Sequence, residues 1–111
     1  MIRALEIPQW DSPFSATPLT NVFFVVESIS IDVQRERYEV KVAVYLDEDA
    51  LKAGRAAVQR VNYANEDGVF PDWTTAIADA AFQGSFETLR DWAFGVLKAN
   101  EGKTTGAKDV A

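Results

Sequence analysis

Positions 22 to 47 read VFFVVESISIDVQRERYEVKVAVYLD, and from Ser28 onward apolar and polar residues alternate on both sides of the charged knot QRER. A period of two places every second side chain on one face of an extended chain, so the segment predicts two antiparallel strands joined at the knot. With Arg35 and Glu36 as a two-residue turn, Val33 faces Tyr38, Ile31 faces Val40, Ile29 faces Val42 and Glu27 faces Val44. The other face then pairs Ser30 with Lys41 and Asp32 with Glu39. The knot lacks the Asn-Gly or Asp-Gly of a tight hairpin, which favours a loop two residues longer. Sidedness survives that change, because only a slip of one residue turns the apolar set toward water.

Upstream, Val22 through Val26 are apolar without a break, the pattern of a strand covered on both faces. Val22 to Gln34 would extend about 43 Å at strand rise, whereas a chain of this length folds to a diameter of roughly 34 Å. Either a bulge bends the strand or the hairpin protrudes.

The remaining segments place helices after strands. IRALEI at 2–7 suits a short strand, with Pro8 ending it or setting it at a sheet edge. From Pro8 to Thr20 the chain carries three prolines and reads as an extended arm, yet Trp10 and Phe14 lie in it and require something apolar to rest on. DEDALKAG begins with a capping Asp47 and ends with Gly54, giving a turn or one or two helical turns. RAAVQRVNYA offers another strand with Val61 and Tyr63 on one face, closed by the turn NEDG. Asp72 caps WTTAIADAAFQ, in which Trp73, Ile77, Ala80 and Ala81 share a face, and Ser85 caps FETLRDWAFGVLK, in which Phe86, Leu89, Ala93, Val96 and Leu97 do. Gly84 either separates these two helices or is tolerated within one. The expectation is a single α+β domain over 1–98, with an antiparallel sheet built on the long hairpin and packed by a C-terminal helix or helix pair. Its proline-rich arm covers 8–20, and residues 99–111 form a flexible polar tail.

Composition removes several chemistries. The 111 residues include no cysteine and no histidine, which excludes disulfides, thiolate nucleophiles, His-based triads and His or Cys metal sites. Seventeen acidic against eleven basic residues give a formal charge of −6, and the nearest basic cluster, Arg35, Arg37 and Lys41, is interleaved with Glu36 and Glu39. Such a surface repels a phosphate backbone. No apolar run is long enough to span a membrane, and the first residues lack the basic start and apolar centre of a signal peptide. The carboxylates at 47–49 and at 66, 67 and 72 fall in expected turns, where solvation and capping account for them. No catalytic residue, metal site, cofactor, small-molecule substrate, nucleic acid or membrane is therefore expected.

The aromatic residues carry more information. There are three Trp, three Tyr and seven Phe in this small chain. Trp73, Phe86 and Phe70 read as core. Trp92 and Phe94 flank the apolar face of their helix and Phe82 points away from the Ile77 face, so a surplus of rings is expected to meet another chain. Arg90 falls among Phe86, Phe94 and Leu97, where it either snorkels outward or pairs across an interface. The expected interface residues are Trp10, Phe14, Phe82, Arg90, Trp92 and Phe94.

YEVKVAVYLDEDALKAGRAAVQR, a strand leading through an acidic turn to a glycine step, together with FETLRDWAFGVLKANEGKTTGAKDV, resembles small structural proteins of tailed bacteriophages in order and texture. The likeness covers about residues 38–110, and the proline-rich start lies outside it. It implies a non-enzymatic accessory of tail, neck or baseplate, assembled in the host cytoplasm into the virion, whose partners are copies of itself and other virion proteins. The competing expectation is a small acidic inhibitor that mimics nucleic-acid charge on a host protein. Its carboxylates, scattered among lysines and arginines, lack phosphate-like regularity.

Overall fold

The alternating segment folds into the hairpin its period dictates. In the computed structural model, which describes residues 3–11, 16–65, 67–104 and 106–110, β2 (Leu19–Asp32) pairs antiparallel with β3 (Arg37–Tyr45). Ile31 faces Tyr38 and Ile29 faces Val40, so the loop spans Val33 to Glu36, two residues longer than the tight turn. Asp32 accepts from the Arg35 N–H at 3.1 Å, and Glu36 takes a positive φ of 52° to close the loop. The Asn65 side chain holds the base of the loop, accepting from the Tyr38 N–H and donating to the Glu36 carbonyl.

Both routes for accommodating the long strand are used. The register shifts between Val26 and Ser28, leaving Glu27 as an extra residue in a bulge. Val42 and Val44 therefore face Val26 and Phe24, in place of the expected Ile29 and Glu27. At about 3.3 Å per residue the strand would measure about 46 Å straight. The bulge bends β2 within a molecule 39 Å in its longest dimension.

Three more strands complete one antiparallel sheet in the spatial order β4-β3-β2-β1-β5, with β1 at Ala4–Trp10, β4 at Gln59–Ala64 and β5 at Lys108–Val110. One face presents Val22, Phe24, Val26, Tyr38, Val40, Val42 and Val44, all buried. It forms the main core with Leu5, Ile7, Phe70, Ala93, Phe94 and Leu97. The opposite face buries Ala4, Phe23 and Ala43 where α1 (Glu48–Lys52) touches β2 and β3, so the unbroken apolar run is covered on both sides as its composition demands. Asp47 caps α1 through the Ala50 N–H at 2.7 Å.

Gly84 divides the helical region. Asp72 caps α2 (Trp73–Ile77), which stops after five residues because Asp79 is extended and accepts from the Ala81 N–H to start a 3₁₀ turn at Ala80–Gln83. Ser85 then caps α3 (Phe86–Asn100). The early break moves Ile77 off any shared face, and it is exposed. Phe86, expected in the core, is 48% exposed: its angular position matches Ala93 and Leu97, but it stands at the very start of α3.

The expectation of a flexible tail over 99–111 is corrected for the described residues. α3 runs to Asn100, and a 3₁₀ turn follows at Gly102–Thr104. The buried Thr104 hydroxyl lies 2.8 Å from the carbonyls of both Leu97 and Glu101. β5 then pairs with the start of β1, Ala4 opposite Val110 and Glu6 opposite Lys108, and Lys98 holds Asp109 at 2.6 Å. A polar strand of three residues has no visible period, but backbone pairing and one threonine anchor it. The expected arm is also partly strand, since β1 continues through Pro8 to Trp10 beyond the reach of β5, with its pairing to β2 interrupted at Pro8 itself.

Candidate functional site

Tyr38 sits where the hairpin leaves the body. Its ring meets Phe70, Phe82 and Trp92 edge-on at centroid distances of 5.7 to 6.2 Å. Its hydroxyl donates to the Pro71 carbonyl. Burial, reinforced by the nearby charges of Asp67 and Asp72, pushes its pKa well above the ordinary phenol value. Tyr63, one strand over, is pushed up by burial and by its 2.9 Å bond to Glu101. Asp72 is held below its ordinary value by hydrogen bonds from the Thr75 backbone and side chain. These shifts reflect burial and local hydrogen bonding, which keep both phenols protonated and tie the hairpin to the body.

The aromatic surplus inferred from the sequence is largely absorbed by this anchor. Phe82 and Trp92 are partly buried and meet each other edge-on at 4.9 Å, as each also meets Tyr38. Phe94 is fully buried and Trp10 nearly so, the latter packing edge-on against Phe24 and donating its indole N–H to Gln59 at 3.0 Å. Trp10 and Phe94 are thus core residues, a correction to their assignment as interface residues. Helical spacing could not reveal this, because α3 presents Phe94 toward the curved sheet beside Ala93 and Leu97. Phe14 lies outside the described residues. Arg90 is partly buried, and its Nε–H is buried without an acceptor among the described residues. Leaving such a donor unmatched costs about 1–3 kcal/mol.

What the body does not absorb is the far half of the hairpin. β1 pairs with β2 from Leu19 to Phe24 and goes no further. From Glu27 to Asp32, β2 has β3 on one side and no strand on the other among the described residues. The opposite flank is different, for β4 follows β3 as far as Glu39 and Asn65 then takes over. Ile31 is 44% exposed and Val33, in the loop, 72%. This edge was partly legible in the sequence, in the excess of strand length over body size. The charges around it are locally matched: Arg35 pairs with Asp32, Arg37 with Glu39 at 3.1 Å, and Arg60 with Glu27 at 2.8 Å.

Among the described residues no group of three or more Asp or Glu side chains converges as a metal site, and no helix is long and apolar enough to cross a membrane. Comparison with protein-family models, curated proteins and solved structures finds no match to this chain.

Proposed function

We propose that the chain is a non-enzymatic assembly subunit that joins copies of itself and neighbouring proteins through the free edge of β2. The observation that carries this reading is the second edge of β2 from Glu27 to Asp32, which no strand covers among the described residues, beside exposed Ile31 and Val33. An exposed strand edge presents a row of unused donors and acceptors, which a strand from another chain satisfies directly. Two such edges meeting about a twofold axis would make one continuous sheet, since antiparallel pairing of identical strands is self-complementary. The particle we assign to it, a tail, neck or baseplate of a tailed bacteriophage, rests on the resemblance over residues 38–110. A protein of this kind needs no catalytic group, and its work is done by shape and backbone pairing.

The test is the mass of the native species, with amide exchange of the edge. Wild type is expected to form a defined oligomer whose Glu27–Asp32 amides exchange slowly. The double substitution Ile31→Lys and Val33→Lys, at positions already exposed, should give a folded monomer with fast exchange at the same amides. A wild-type protein that stays monomeric at high concentration, with an edge exchanging as fast as in the double variant, overturns the reading.

A further inference from the structure

At the end of the sheet where β1 begins, a cavity of about 520 Å³ opens between the second sheet face and α1. Phe23, Val25, Leu51 and Val110 give it apolar walls. Arg3, Lys52 and Arg90 line it as well, against a single carboxylate among the described residues, Glu48. That carboxylate is already engaged by Lys52 at 2.6 Å. Arg3 and Lys52 are exposed at its mouth, and Arg90 is partly buried in its wall. In a chain of net charge −6 this is a local reversal of sign. The Nε–H of Arg90, buried and without an acceptor, is the one polar atom here whose partner is missing from the chain's own described residues.

We propose that this cavity binds a monocarboxylate with a short apolar tail, the carboxylate seated on the Arg90 guanidinium and the tail lying on Phe23, Val25 and Leu51. A guanidinium offers Nε–H and a terminal N–H as a planar fork that matches two carboxylate oxygens, so the ligand supplies the acceptor that is missing among the described residues. The volume falls within the range of about 300–1,000 Å³ usual for small-molecule sites, more than one carboxylate side chain needs. A polyanion would face the repulsion of the whole chain, whereas a single charge meets only the local field of Arg3, Lys52 and Arg90. The role proposed for the site is to hold the ligand. This inference is independent of the hairpin edge.

Decanoate is the probe, titrated into the intact protein below its own self-association concentration by calorimetry and by methyl NMR. One decanoate per chain is expected, with shifts centred on Val25, Leu51 and Val110, and decanol at least about tenfold weaker. Arg90→Met, which keeps the aliphatic stem, should lose at least about tenfold in affinity. Leu51→Glu, on the short helix away from the main core, should lose as much with an unchanged thermal midpoint. Equal binding of decanol and decanoate, unaltered binding by folded Arg90→Met, or many decanoates per chain would each overturn the proposal. So would the absence of decanoate binding combined with loss of self-association in Arg90→Met, a result that would give Arg90 to a carboxylate of a partner protein.

Discussion

Tyr38 connects the hairpin to the helical layer, and replacing it separates two contributions. Tyr38→Phe keeps the ring among Phe70, Phe82 and Trp92 and removes only the hydroxyl bonded to the Pro71 carbonyl. A buried hydrogen bond lost in this way costs about 1–2 kcal/mol. For a chain of this size that lowers the thermal midpoint by about 4–8 °C. Tyr38→Leu also deletes the ring edges, and the contacts to Phe70, Phe82 and Trp92, at about 0.5–1.5 kcal/mol each, add about 1.5–4.5 kcal/mol. Against a total stability of about 5–15 kcal/mol the second substitution leaves a marginal protein. Urea denaturation followed by circular dichroism and by tryptophan fluorescence measures both, and Trp92, 6.0 Å from the Tyr38 ring, is placed to report the transition. A Tyr38→Phe protein within about 0.3 kcal/mol of wild type, below the usual net value of one hydrogen bond, would refute the claim that the hydroxyl fixes the hairpin to the Pro71 segment. Equal destabilisation of the two variants would refute the role of the ring edges.

Two further outcomes follow from neighbouring groups. Both Tyr38 and Tyr63 have raised pKa values in the folded state, while unfolded tyrosine ionises near about pH 10. Their contribution is complete below that pH and is lost as pH rises above it, because the unfolded chain then releases protons the folded chain retains. Stability measured across the alkaline range should fall, and the Tyr38→Phe and Tyr63→Phe double variant should show a shallower slope. Thr104→Val removes the hydroxyl that lies between the Leu97 and Glu101 carbonyls. It should cost about 1–2 kcal/mol, and it should speed amide exchange in β5 more than in β3. Equal acceleration in both strands would mean that the turn does not specifically anchor β5.

The hairpin, its sidedness, the helix caps at Asp47, Asp72 and Ser85, and the doubly covered base of β2 were legible because each depends on local periodicity or a capping side chain. Two kinds of feature were hidden. The pairing of β5 with β1 joins residues about as far apart in the chain as it allows, through a strand whose side chains follow no pattern. The sheltering of Phe82, Trp92 and Phe94 depends on how far the sheet curves toward α3 and on the 3₁₀ turn that re-aims Phe82, and neither is encoded in spacing along one helix. Conversely, angular position alone put Phe86 inside, although a helix's first residue gains cover only if something extends past the helix end. The oddity of Arg90 was readable from its neighbours. That it shares a cavity with Arg3 and Lys52 was not, because those residues come from three separate segments.

The surplus residue at Glu27 bears on how this ribbon can vary in length. On either side of it Val26 and Ile29 belong to the same apolar face, although three positions separate them and strict alternation would oppose them. Removing the Glu27 codon would restore uninterrupted alternation from Val22 to Ile31 and turn no greasy side chain over. Only the bend and the Arg60 partnership would vanish. Adding a second codon beside it would restore alternation as well, since four positions would then separate Val26 from Ile29, but it would slide the tip by two residues along β3. The sidedness of the ribbon therefore survives a one-codon change in either direction at this point, and the deletion would re-aim the tip while leaving the core composition unchanged.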